Sequence, residues 1–172
     1  MRLSRPHPAI RTLCLLALLA VWSPACGGSD ELPAPDATQA TESDATLLGK
    51  EIGETYLLLM ADAKAMLELD LPAEQLRSGL RFMASDYRVR FANLGCLRQA
   101  LGEDDQLEAT RAADAEVFAG GGQDTRWLSE AAQRYGGDPE LTQLLTELPA
   151  VRLYAFFDQL ARVRPGEHVL CN

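Results

Sequence analysis

Histidine is almost missing from this chain, with two in 172 residues. Aromatics are scarce at 6%, while Ala and Leu abound. That balance favours helices over sheets, which draw on β-branched and aromatic side chains. Lysine is scarce beside arginine, two against fourteen, and nothing functional follows from that. Bases fall short of acids, 16 to 25, for a net charge of −9. Such a surface repels nucleic acid and anionic headgroups, so no nucleic-acid partner is expected. Also lacking is a run of the about 20 apolar residues that cross a bilayer as a helix. The apolar run from Thr12 to Trp22 holds eleven.

The shortage of histidine bounds the chemistry. A Ser-His-Asp or Cys-His site needs His168, in the tail three residues before Cys171. No Gly-x-Ser-x-Gly stretch surrounds any serine, so no catalytic residue is assigned. His168, Cys171 and Cys96 supply three metal ligands at looser spacings than zinc sites use. Neither a Cys-x-x-Cys-His haem motif nor a Glu-x-x-His pair occurs, and no metal or cofactor is assigned. Gly120-Gly121-Gly122 lacks the Lys-Ser/Thr of a phosphate loop and reads as a hinge. Glu103-Asp104-Asp105 reads as a helix start, where negative charge meets the dipole, rather than a calcium loop. Arg77, Arg81 and Arg88 fall on one side of a helix and read as a solvated face. Asp158 is placed to pair with Arg162 one turn later.

The N-terminus has three parts. Arg2, Arg5 and Arg11 precede the apolar run, and Ser23-Pro24-Ala25-Cys26-Gly27-Gly28-Ser29 follows it. The run fits a signal-peptide core. With Ala25-Cys26 and the Gly-Gly-Ser after it, this segment resembles the export signal of bacterial lipoproteins, in which an aliphatic residue and two small ones precede a cysteine. Ser23 and Pro24 depart from that pattern, where Leu is usual three residues before the cysteine. The resemblance spans about 28 residues. It implies that residues 1–25 are removed, that Cys26 receives a diacylglycerol and usually an N-acyl chain, and that Gly27 directs the protein to the outer membrane. Ser23-Pro24-Ala25 also suits ordinary signal peptidase, which would release a soluble periplasmic or secreted protein. Removing residues 1–25 takes three arginines and no acid, leaving 13 bases against 25 acids and a net charge of −12.

Residues 26–45 form the next segment. Gly27 to Ala45 is rich in Pro, Ser, Thr and Asp, with five acids and no base. It cannot bury enough surface to fold and is expected to be a disordered linker, about 25 Å between its ends on average.

Residues 46–172 are expected to be one all-α domain, an irregular bundle of five or six helices. The first helix is expected over about 47–69, from the spacing of Ile52, Tyr56, Leu59, Met60, Ala63 and Leu67. The second runs over about 72–101, with Leu76, Leu80, Met83, Tyr87, Phe91 and Leu94 as its main stripe. A second row, Phe82, Val89 and Cys96, lies nearly opposite; a helix apolar on two sides is usually central, so something is expected to cover it. Asp105 is expected to cap the third helix in a box with Glu108. A short fourth helix spans about 125–135. Asp138-Pro139-Glu140 starts the fifth, carrying Leu141, Leu144, Leu145 and Leu148. After Pro149 a last helix runs to about Val163, and Pro165-Gly166 ends it.

Two cysteines remain in this domain, and an exported protein meets an oxidising compartment. The apolar tail Val169-Leu170-Cys171 is expected to lie across the second row, with Cys96 and Cys171 bonded. These readings describe a lipid-anchored cell-envelope protein with a helical interaction or structural domain, held to the membrane through Cys26 and open to an envelope protein partner. The alternative is a small periplasmic hydrolase or ligand-binding domain, with a pocket near Tyr87, Arg88, Tyr154 and Asp158.

Overall fold

The computed structural model describes residues 42–171. The export signal, Cys26 and the linker as far as residue 41 lie outside the described residues. The elements are α1 (Asp44–Glu68), α2 (Ala73–Gln99), α3 (Glu103–Ala119), α4 (Arg126–Arg134), α5 (Pro139–Glu147), a 3-10 segment (Leu148–Ala155) and α6 (Phe157–Val163). The described domain is all-α.

Helix α1 starts before Leu47 because Ser43 caps it. The Ser43 side chain accepts the Thr46 N–H at 3.0 Å, and Asp44 and Ala45 are already helical. The linker therefore stops short of its expected limit at Ala45. Glu108 does not box the third helix with Asp105. Helix α3 starts at Glu103, after Gly102, and Glu108 accepts hydrogen bonds from the hydroxyls of Ser43 and Thr46. A side chain of α3 thus secures the start of α1, in a pairing that no local pattern encodes.

The α1–α3 contact is close and parallel. A side chain at Gly49 would strike the carbonyl of Ala109 and the methyl of Ala112; one at Gly53 would strike Ala113 and Glu116; farther along, Leu57 packs on Gly120 and Gly122. The contact numbers rise together along both helices. Ala45, Gly49 and Gly53, spaced by four, form a small-residue seam that lets the backbones approach. The glycine triplet is a packed cap rather than a hinge. Gly121 adopts φ 70°, the left-handed region that suits glycine. Gly122 N–H donates to Val117 O and Gly121 N–H to Phe118 O, closing the last turn of α3.

Helix α2 returns antiparallel to α1 after Asp70 (φ 49°) and Pro72. Its stripe of Leu76, Leu80, Met83, Tyr87, Phe91 and Leu94 is buried among Ile52, Leu59, Leu141, Leu145, Leu148, Val151 and Phe156. Each such aliphatic side chain is worth about 1.5–3 kcal/mol of burial. The second row is not covered: Phe82 is 78% exposed and Val89 60%, with Cys96 half-buried. Helix α2 packs on α1, α3, α5 and the 3-10 segment, yet it keeps the Phe82–Val89 side in solvent, and only Cys96 at the end of that row is held, by Cys171 of the tail.

Asp138 caps α5, accepting the Leu141 N–H at 3.1 Å. Arg77 reaches Asp138 at 3.5 Å and Glu140 at 3.6 Å, and Arg81 pairs with Glu140. These arginines therefore bridge α2 to α5 rather than standing free in solvent. The last helix is split, because the chain runs as a 3-10 segment through Pro149 and breaks at Phe156 (φ −130°, ψ 76°). Phe156 is turned into the core by that break.

Candidate functional site

The hairpin of α1 and α2 leaves a groove of about 510 Å³ on its open side. Spacings of three and four place Asp62, Ala65, Met66 and Leu69 along one wall. Gly79, Phe82, Met83 and Asp86 form the other. The wall is mostly apolar, and small Ala65 and Gly79 keep it open. Two methionines line it, with side chains that adapt to varied shapes.

One end of the groove is polar. Tyr87, 3% exposed, donates its hydroxyl to Asp62 Oδ2 at 2.7 Å. Burial, and then the bond to Asp62, push the Tyr87 hydroxyl up to about 12. The Arg90 guanidinium lies over the Tyr87 ring, 4.9 Å from its centroid, and pairs with Asp86 at 2.8 Å. Each charge at this end has a hydrogen-bonding or ionic partner, Asp62 with Tyr87 and Asp86 with Arg90.

Tyr87, Arg88, Tyr154 and Asp158 do not converge. Tyr87 belongs to the groove. Arg88 lies over the Tyr154 ring at 5.4 Å, and the Tyr154 hydroxyl donates to Glu167. That bond, more than the nearby Arg164, holds the Glu167 carboxyl below the usual range. Asp158 pairs not with Arg162 but with Arg98, at 3.5 Å. The Arg98 side chain is only 11% exposed. It also reaches Gln106 O and Thr110 Oγ1 at 3.3 Å and covers the Phe156 ring at 5.1 Å. It is fully engaged in joining α2, α3 and the last segment.

Cys96 and Cys171 stand at bonding distance as a disulfide, Cα–Cα 5.5 Å, closing a separation of 75 residues. His168 is exposed, and among the described residues no group of three His, Cys, Asp or Glu side chains converges on a metal position. Among the described residues no helix is long and apolar enough to cross a membrane.

The groove was not foreseen. The signal lay in the Phe82–Val89 row, but periodicity marks an apolar face without saying whether anything covers it. No protein-family model, curated protein or solved structure matches the chain.

Proposed function

We propose that this is a lipid-anchored protein of the bacterial cell envelope whose helical domain is a non-catalytic interaction module. The observation that carries the module is the open, uncharged face of α2 beside the groove, where Phe82 and Val89 stay exposed. Exposed apolar surface of this kind marks binding surfaces. The anchor is read from Ala25-Cys26-Gly27-Gly28 behind the arginines and the apolar run. A Cys96–Cys171 disulfide suits an oxidising compartment outside the cytoplasm. Diacylglycerol with an N-acyl chain gives three hydrocarbon tails on Cys26, which hold far more firmly than one at about 0.8 kcal/mol per buried methylene. Gly27 favours the outer membrane.

Fractionation of the producing cells tests the anchor. The protein is expected in the membrane pellet, and Cys26→Ser is expected to move it to the soluble fraction. A Cys26→Ser protein that still pellets overturns lipidation. A natural protein that is soluble makes it an ordinary secreted product.

A further inference from the structure

We propose that the groove between α1 and α2 binds a small amphiphilic amine, its apolar body laid between Met66 and Phe82 and its ammonium set on Asp62. The site goes beyond the interaction module proposed above and depends on neither the anchor nor a protein partner. Its volume of about 510 Å³ lies within the range of small-molecule sites, about 300–1,000 Å³. Its length suits one such molecule, since Asp62 and Leu69 stand about 10 Å apart along α1 at 1.5 Å per residue.

The lining selects the apolar body. Ala65 and Gly79 give the floor little bulk, and Leu69, Leu71 and Met83 complete it. A side chain at Gly79 would strike the sulfur of Met66, so this glycine lets Met66 lie against α2 as part of the wall. Phe82 stands at the rim, 78% exposed. An apolar molecule in the groove takes that ring and the thioether out of water, and its affinity comes from that burial.

Charge selects the head. Two carboxylates and one guanidinium line the polar end. Arg90 is spent on Asp86, at 2.8 Å. Asp62 has no ion pair among the described residues. Its Oδ2 accepts the Tyr87 hydroxyl at 2.7 Å, which holds the carboxylate in place and leaves Oδ1 to accept from a ligand. An ammonium there makes a charge-assisted bond to a positioned acceptor. A fatty acid meets the same carboxylate and the acid excess of the domain, 22 acids against 13 bases over residues 42–171, and is repelled. A neutral apolar molecule fits the floor but leaves Asp62 to water. The linker is excluded as occupant by its five acids and no base over residues 27–45.

Octylammonium chloride titrated into the full chain carrying Cys26→Ser, without detergent, tests the site, with octanol and octanoate beside it. Octylammonium is expected to bind at about 1 mM or tighter and to shift the methyl resonances of Met66 and Met83. Octanol should bind about fivefold more weakly, and octanoate not at all. Asp62→Asn keeps an acceptor for Tyr87. It should raise the octylammonium dissociation constant about fivefold, the worth of one exposed ion pair, and leave octanol unchanged. Ala65→Trp, at an exposed position of α1, should fill the groove and abolish binding with unchanged circular dichroism. Glu130→Gln on α4 should alter nothing. Octylammonium that binds without moving the Met66 and Met83 signals overturns the proposal, because it is then drawn to acidic surface at large. So does octanol or octanoate binding as tightly as the amine, an Asp62→Asn chain that binds like its parent, a folded Ala65→Trp chain that still binds, or a parent chain that binds no amine.

Discussion

The Tyr87 hydroxyl donates to Asp62 across the α1–α2 hairpin at 2.7 Å, joining two helices at the polar end of an otherwise apolar groove. Tyr87→Phe is expected to cost about 1 kcal/mol, the usual net value of such a bond, because exposed Asp62 regains water. The folded hydroxyl, at about 12, lies above its unfolded value of 10.0. Its contribution is therefore complete below pH 10 and is lost as pH rises through 12. Urea midpoints measured across that window should fall more steeply for the natural chain than for Tyr87→Phe.

Gly49→Ala should destabilise although it replaces glycine inside a helix. The substitution gains about 0.5–1 kcal/mol in helix propensity. It also drives a methyl into the carbonyl of Ala109, and overpacking of this kind costs about 1–3 kcal/mol. Gly49→Leu should cost more. Thermal midpoints decide it, and a stabilised Gly49→Ala would mean that the seam is looser than described.

Ser43→Ala is expected to cost about 1 kcal/mol through loss of the cap on α1. Glu108→Ala should weaken the same turn, and the two losses should be less than additive, because both remove one network. Hydrogen bonds from Ser43, and then from Thr46, hold the Glu108 carboxyl below its usual range. Its contribution is present above ordinary carboxylate values and disappears as pH falls through its lowered pKa. Stability followed from neutral pH downward should show that step in the natural chain and not in Glu108→Gln.

Replacing Cys96 and Cys171 by Ala should lower stability by at most roughly 4 kcal/mol, the loop-entropy figure for a closed loop of this size. The helices should survive, since neither cysteine belongs to the buried core. Mass analysis without reductant should find no free thiol at either position. Two free thiols, or a covalent dimer through Cys171, would remove the staple.

The helical architecture was legible wherever the signal was local. Asp138-Pro139-Glu140 marked α5 to the residue, since cap, proline and acid act within one turn. The Leu76–Leu94 stripe gave the buried side of α2. What escaped was decided between elements. Gly49 and Gly53 carry no hydrophobic signature, so the α1–α3 seam has no periodicity to detect. Glu108 satisfied a capping pattern for its own helix yet spends its carboxylate on another. Phe82 and Val89 showed an apolar face, but only the packed structure reveals that no other element covers them. Asp158 stood one turn from Arg162, but the break at Phe156 brought Arg98 nearer.

The parallel run of α1 beside α3 also implies an order of folding. Their contacts join residues about sixty apart, as Gly49 meets Ala109, and a whole antiparallel helix lies between them. Loop closure over that length is paid before any contact rewards it. The hairpin of α1 and α2 is the local event, so the glycine seam is expected to zip late. Substitutions at Gly49 should then speed unfolding while leaving the folding rate nearly unchanged, whereas those at Leu80 should slow folding.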